Sequence, residues 1–500
     1  MPVLSQRTLH SLPDTVARPA YDRSQVTEGI VHFGVGGFHR AHQAMYLDAL
    51  MDQGEALDFG IVGVGTMPGD TRMRDALNPQ DGLYTLVVKF PDGRREPRVI
   101  GSMTRFLHAA DDPGAVLAAM RAASTRIVSL TITEGGYLFR PSTGDFDAEH
   151  PLIRPDLVVG ATPTTPFGFI VEALRLRRED GTPPFTVMSC DNIPGNGDVA
   201  KTMIVAFATL KDPDLATWIE SSVRFPNSMV DRITPVTAPE DIVALKDDFG
   251  VEDAWPVVCE PFTQWALEDS FEGGAAGRPA FEDVGVQLVP DVEPYELMKL
   301  RLLNASHQAL CYLGYLSGYR YAHEVCQDPL FVDFLLSYMD REATPTLHDV
   351  PGVDLTAYKH QLVERFANPE VHDTLARLCA ESSDRIPKWL VPVIRTNLEK
   401  GGEIERSALV VASWARYAEG VDEQGDAIQV VDQLKDQVMA AAARQQDEPL
   451  AFIEDEQLFG DLAANERFAE SYTRWLASLH DVGARLTLER LAGRADSVHD

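Results

Sequence analysis

Along the first half of the chain, short β-branched runs alternate with glycine-containing turns and stretches of helical periodicity. The runs are Ile30-Val31-His32-Phe33-Gly34, Phe59 to Gly65, Arg126 to Thr133 and Phe185 to Cys190. Strand, turn and helix in that recurring order is how a parallel α/β sheet is written. From about Pro294 the pattern changes. YELMKLRLLNASHQALCYLGYL and DPLFVDFLLSYMDRE carry apolar residues at helical spacing, and strand candidates become few. The pattern predicts an α/β domain over residues 1–290 and a mainly α-helical domain over 291–500, with the change near the turn-rich stretch Glu272 to Pro279 or slightly beyond.

The first strand runs into Gly34-Val35-Gly36-Gly37-Phe38-His39-Arg40 and then a helix through Ala41, Ala44, Met45 and Leu47. Glycines at such a turn let the backbone approach a pyrophosphate closely, and the helix start offers N–H groups and a positive dipole end. A dinucleotide fingerprint would place a third glycine where His39 stands, so the turn alone fits a structural strand-to-helix connection equally well. His39 and Arg40 are candidate phosphate donors in its stead. Beyond the second strand, Asp70 is the candidate acceptor for a ribose 2′-hydroxyl, with an ordinary turn aspartate as the alternative. Arg72 and Arg74 behind it are placed to accommodate a 2′-phosphate. The balance favours NAD over NADP.

The most informative segment opens at Pro294, a good first-turn helix residue, and runs from Tyr295 to Leu310. With ~100° per residue and Lys299 at zero, Leu310, Leu303, Leu300 and Leu297 fall near ~20°, ~40°, ~100° and ~160°, which defines an apolar face. Glu296, His307 and Asn304 fall near ~60°, ~80° and ~140° on the same arc. Burying such groups without partners costs roughly 2 kcal/mol or more each. Either a structural Lys–Glu–His network joining the domains or a functional cleft compensates. In a cleft, a lysine among apolar groups has its charged form disfavoured and can act as a base near neutral pH. Lys299 is therefore the candidate to take the proton from an alcohol as hydride leaves its carbon.

Asn304 is a candidate donor to the developing oxyanion, as is Asn192 in Ser189-Cys190-Asp191-Asn192, which ends a predicted strand at the carboxyl edge of the sheet. A simple turn role for Asn192 stays open. His307 would orient a substrate hydroxyl, and Glu296 would pass the proton to solvent. Tyr295-x-x-x-Lys299 also fits the acid/base pair of short-chain dehydrogenases, but that pair lies inside one compact α/β domain, whereas this one opens the helical half.

Composition narrows the partners. The chain of 500 residues has 44 Lys+Arg against 76 Asp+Glu, a formal net charge of −32, and an anionic field of that size repels nucleic acid and acidic membrane surfaces. The five cysteines are widely spaced, odd in number and never in a Cys-x-x-Cys arrangement, so neither a disulfide framework nor a zinc site is expected. The N-terminus lacks the apolar core of a signal peptide, and no run approaches the ~18 to 20 apolar residues that span a bilayer. A cytoplasmic protein acting on a small molecule, with no membrane or nucleic-acid partner, is the expectation.

With Gly34-x-Gly36-Gly37-Phe38-His39-Arg40-Ala41-His42, Ser189-Cys190-Asp191-Asn192 and Lys299-x4-Asn304-x2-His307 in order, nearly the whole chain resembles the polyol-specific long-chain dehydrogenases, the mannitol dehydrogenase family. The resemblance implies a Rossmann-like NAD-binding domain followed by a helical catalytic domain. It also implies metal-free, NAD-dependent interconversion of a secondary polyol alcohol with a ketose, D-mannitol and D-fructose being the preferred pair, with Lys299 as base, Asn192 and Asn304 as the oxyanion site and Glu296 as a proton gate. Substrate contacts are implied from Arg377 and Arg385, although the family commonly carries lysine at the second position. The resemblance further suggests a monomer. Fructuronate reductases share these motifs, and Arg377, Arg385 or Lys388 would equally suit a uronate carboxylate. Arabinitol and sorbitol are further candidate substrates. A non-enzymatic alternative is a nucleotide-sensing scaffold whose polar helix is purely structural. The net charge favours a neutral polyol over a uronate, weakly, because salt screens it over about 8 Å.

Overall fold

In the computed structural model, which describes residues 3–139 and 145–495, the predicted runs become strands. In chain order the strands are β1 (Glu28–Phe33), β2 (Gly60–Gly65), β3 (Tyr84–Lys89), β4 (Arg95–Ile100), β5 (Met103–His108), β6 (Ile127–Leu130), β7 (Thr186–Ser189), β8 (Ser228–Asp231), β9 (Val257–Cys259), β10 (Gln264–Glu268) and β11 (Gln287–Val289). The main sheet has the order β5-β2-β1-β6-β7, and every neighbouring pair in it is parallel. This is the parallel α/β architecture that the pattern predicted, and it has the Rossmann-like form that the resemblance implied. The chain reverses its direction of progress between β1 and β6, and that switch point opens a crevice at the carboxyl ends of the strands.

The sequence explains the layering. Alternate residues of the central strands point to opposite faces. Val31, Phe33, Val62, Val64, Val128 and Leu130 pack with Phe167, Phe169, Ile204 and Phe207 on one side. Ile30, Ile61 and Ile127 pack with Ala44, Leu47 and Met51 on the other. β5 was not among the predicted runs. It is one of the two edge strands, and its Thr104 and Arg105 are not buried, so MTRFLH lacks the continuous apolar signature of the other four. Two three-stranded sheets, β11-β10-β8 and β4-β3-β9, complete this unit and were likewise not read from the pattern.

The chain divides into two compact units between Glu293 and Pro294. The second is helical. At its centre is helix Glu405–Ala418, nearly every residue of which is buried. Its start is held by the buried carboxylate of Glu342, which accepts hydrogen bonds from Arg406 N (2.7 Å), Ser407 N (2.8 Å) and Ser407 Oγ (2.5 Å).

The polar-apolar segment is helical but not uniformly so. α-Helix Glu293–Met298 passes into a π-helical turn over Lys299–Asn304 and then into α-helix Ala305–Leu316. The Ala305 N–H bonds to Leu300 O, five residues back. A wheel at constant α pitch is therefore incorrect across this turn. Leu303 and Leu310 are buried as expected, but Leu297 and Leu300 are only half-buried, and Met298, Leu302 and Ala309 take up the core-facing positions.

Candidate active site

Glycine geometry shapes the nucleotide end of the first unit. Gly34 ends β1 with φ +90°, and a Cβ there would lie 2.1 Å from Thr131 O, beyond β6. Only glycine allows the two strand ends so close. Gly36 is different: its backbone is extended and a Cβ would meet nothing nearer than Gly34 O at 3.9 Å. Its peptide face is thus open to close approach, next to the first N–H groups of helix Gly37–Ala41, which have no intrahelical acceptor. Val35 packs over Gly63, where a Cβ would come within 2.7 Å of Val35 Cγ2, and the Phe38 ring stacks on His42 at 4.9 Å. These features fit a dinucleotide pyrophosphate.

Two expectations for this turn need correction. The His39 ring is fully buried, stacked on His32 at 3.5 Å, and burial, reinforced by the neighbouring Arg40 charge, holds it neutral. It brings no positive charge to a phosphate. Arg40 is buried too. Its Nη1 donates to Trp255 O at 2.5 Å and its Nε to Gly36 O at 3.2 Å, so the guanidinium is committed to the protein's own carbonyls. The backbone of the turn, rather than these side chains, is what fits a phosphate.

Asp70 sits just past the end of β2, half-buried, where Oδ2 accepts the Met67 N–H at 2.9 Å. The basic residues behind it are engaged. Arg74 bonds Asp75 (2.8 Å) and Asp111 (2.5 Å), and Arg72 lies over the Trp255 ring at 4.1 Å. An acidic residue with its cationic neighbours occupied suits a ribose hydroxyl better than a 2′-phosphate.

At the end of β7, Asn192 is exposed, and the residue before it does the structural work. Asp191 is buried and accepts from Thr133 N (2.7 Å), Ile132 N (3.2 Å) and Tyr137 Oη (2.9 Å), which fixes the segment after β6. Asn196 donates from Nδ2 to Asp191 O (2.9 Å) and Ser228 O (2.7 Å). The motif containing Asp191 was visible in the sequence, but its long-range acceptor role was not.

In the second unit, Lys299 and Asn304 are 8% and 5% exposed. A turn closed from residue i to i+5 holds one more residue than an α turn, so it rotates Asn304 back towards the azimuth of Lys299. Asn304 Oδ1 is buried with no hydrogen-bond partner among the described residues, and the same is true of His307 Nε2. Glu296 is half-buried one turn before Lys299. Tyr295 Oη donates to Pro351 O at 2.8 Å, so this tyrosine anchors the helix and is not paired with Lys299 as an acid/base couple.

His307 joins this helix to the arginine cluster. Burial pushes its pKa down to about 3; Arg377, Arg365 and Arg385 act in the same direction and Asp373 opposes them. Its ring lies 4.4 Å from Phe366. Gln308 Nε2 and Arg385 Nη1 both donate to Leu378 O, at 3.3 and 3.0 Å, which ties helix Ala305–Leu316 to helix Leu375–Cys379. Arg377 binds Asp373 through Nε and Nη2, both at 2.6 Å. Lys388 is exposed and paired with Asp384 at 2.7 Å. The structure thus groups His307, Arg377 and Arg385, and adds Asp373, which the sequence analysis missed. Among the described residues, no group of three or more His, Cys, Asp or Glu side chains is arranged to hold a metal ion.

Neutral buried histidines have a stability consequence. His32, bonded to Ser129 Oγ (2.8 Å) and Thr131 Oγ1 (2.9 Å), is also pushed down to about 3 by burial. Below about pH 6.5 the unfolded chain takes up protons that these folded rings refuse, so stability falls with pH by up to about 1.4 kcal/mol per pH unit per ring. The thermal unfolding midpoint is expected to drop between about pH 6.5 and 5, above the main carboxylate range. A midpoint constant over that window contradicts the assignment.

Comparison with known proteins agrees with this arrangement. Residues 28–281 match the mannitol dehydrogenase Rossmann domain and residues 291–480 the mannitol dehydrogenase C-terminal domain. The mannitol 2-dehydrogenase of Pyrenophora tritici-repentis is 45% identical over 494 residues, covering 98% of this chain and 86% of that protein. The solved ternary complex of Pseudomonas fluorescens mannitol 2-dehydrogenase with NAD and D-mannitol is 47% identical, with a TM-score of 0.87 over 98% of this chain and 100% of that one. A D-sorbitol dehydrogenase in substrate-free form is 34% identical, with a TM-score of 0.89 over 97% and 100% of the two chains. Both halves of this chain are therefore accounted for by one family, and the protein belongs to the mannitol dehydrogenases.

Proposed function

We propose that this protein is an NAD-dependent polyol dehydrogenase that interconverts D-mannitol and D-fructose without a metal, with Lys299 as general base. The observation that carries the reading is the near full-length likeness to a mannitol 2-dehydrogenase captured with NAD and D-mannitol. Gly34 to Arg40 would hold the cofactor through backbone, with Val35 and Phe38 packing the turn and Asp70 taking a ribose hydroxyl. NAD, when bound, supplies a hydride acceptor.

The chain's own residues supply the rest. Lys299 is buried, and in its neutral form its amine would accept the hydroxyl proton as the carbinol carbon is oxidised. Asn304 would donate to the oxygen on which negative charge develops, and the same role is proposed for Asn192. His307 stays neutral and can donate or accept a hydrogen bond with a substrate hydroxyl through Nε2. Glu296 relays the proton outward, and Arg377 and Arg385 contact the distal hydroxyls.

The test is a substrate panel of D-mannitol, D-sorbitol, D-arabinitol, D-fructose and D-fructuronate with NAD(H) and NADP(H). D-Mannitol and D-fructose with NAD(H) are expected to give the highest kcat/KM. A second reading, D-sorbitol as substrate, is favoured by the likeness to the D-sorbitol dehydrogenase and wins if sorbitol outperforms mannitol. No turnover with any member leaves the nucleotide-sensing scaffold. A general base acts only when unprotonated, so polyol oxidation is expected to rise with pH, and a flat profile counts against a lysine base. A cytoplasmic monomer is part of this reading, and light scattering on the purified protein checks the monomer. Among the described residues no helix is long and apolar enough to cross a membrane.

A further inference from the structure

We propose that Asp373 sets the substrate class by holding Arg377, so that the guanidinium meets an uncharged hydroxyl of a polyol or ketose and not the carboxylate of a uronate. The inference rests on the proposed role of Arg377 as a substrate contact. Its basis is the geometry of the pair. Nε and Nη2 of Arg377 reach the two carboxylate oxygens of Asp373, each at 2.6 Å. That fork is the pairing by which arginine recognises a free carboxylate. Asp373 therefore occupies the edge a uronate would need and cancels the charge that would attract one. The Nη1 group, with no hydrogen bond to the described residues, is left for single donations of the kind a hydroxyl accepts.

Asp373 is built to stay in place. Its side chain is 9% exposed, against 58% for Arg377. Its carbonyl accepts the Ala322 N–H at 2.9 Å, and the next residue, Thr374, pairs with Tyr321 and caps the Arg377 N–H through Oγ1 at 3.3 Å. The other cations near His307 are occupied as well. Arg385 Nη1 is bonded to the carbonyls of Leu378 (3.0 Å) and Arg377 (3.3 Å), and Arg365 is buried with interactions of its own. Removing the Asp373 charge leaves Arg377 as a cation with an open fork, and discrimination between neutral and anionic substrates shifts accordingly.

The test compares wild type, Asp373→Asn and Asp373→Glu in the reduction of D-fructose and D-fructuronate with NADH. Asp373→Asn is expected to raise the KM for fructose and to increase the fructuronate-to-fructose ratio of kcat/KM by about tenfold or more. Asp373→Glu, which keeps the charge and the fork, is expected to remain near the wild-type ratio. Asp373→Ser makes the same comparison if the asparagine variant does not fold. A purely structural role would lower both activities together, so an unchanged ratio in a folded, active variant overturns the proposal while the assigned function stands. Failure of the wild type to reduce fructose overturns the function and this proposal with it.

Discussion

Lys299→Ala is expected to lower kcat for mannitol oxidation by about a hundred- to ten-thousandfold, the range over which a positioned base contributes, while NAD affinity stays within about twofold. The separation follows from where the residues lie. Lys299 belongs to the helical unit, whereas the glycine turn and Asp70, proposed to hold the cofactor, belong to the first. Alanine removes the amine together with the three methylenes that carry it, and touches nothing in the first unit. Single-turnover rates and NAD titration by fluorescence make the two measurements. If Lys299 instead held a structural network, the substitution would lower the unfolding temperature and leave the chemical step close to wild type.

Gly36→Val is expected to weaken NAD binding by about a hundredfold or more, with little change in stability. Its Cβ meets no protein atom within 3.9 Å and its backbone is extended, so the folded chain tolerates the larger residue. The added methyl groups occupy the approach to the helix start, where a pyrophosphate would lie against the peptide. Gly34→Ala, two residues earlier, is expected to do the opposite. A Cβ at φ +90° and 2.1 Å from Thr131 O forces β1 and β6 apart, at a cost of roughly 3 kcal/mol or more. Thermal unfolding and NAD titration of both variants distinguish a binding glycine from a folding one. Equal stability losses would remove the distinction.

The contrast between those glycines also indicates what could be read in the sequence. Spacing alone identified the turn, because strand, glycine cluster and helix are local features. It could not tell which glycine faces β6 and which faces outward, because that depends on Thr131, far along the chain. The same limit explains Arg40. Its place beside the turn suggested a phosphate donor, but Trp255 O takes its guanidinium from a distant loop.

β1, β2, β6 and β7 were legible because nearly all their residues are buried, β7 at one edge of the sheet included, whereas β5 at the other edge keeps exposed polar residues and escaped notice. The polar residues of the segment from Tyr295 to Leu310 were legible from their conflict with an apolar face. Their angular relation was not, because no residue between Lys299 and Asn304 announces a π turn. Asp373 was missed for a related reason. A lone aspartate four residues before an arginine is ordinary helical charge patterning, and only the folded pair at 2.6 Å, beside His307, gives it a role at the site.

Mannitol oxidation with Lys299 as its base stands or falls on the NADH formed when the purified protein is given D-mannitol and NAD, with the product identified. NADH and D-fructose are expected in equal amounts with the wild type and almost none with Lys299→Ala. No NADH from mannitol, or the same rate in both proteins, rules out that chemistry.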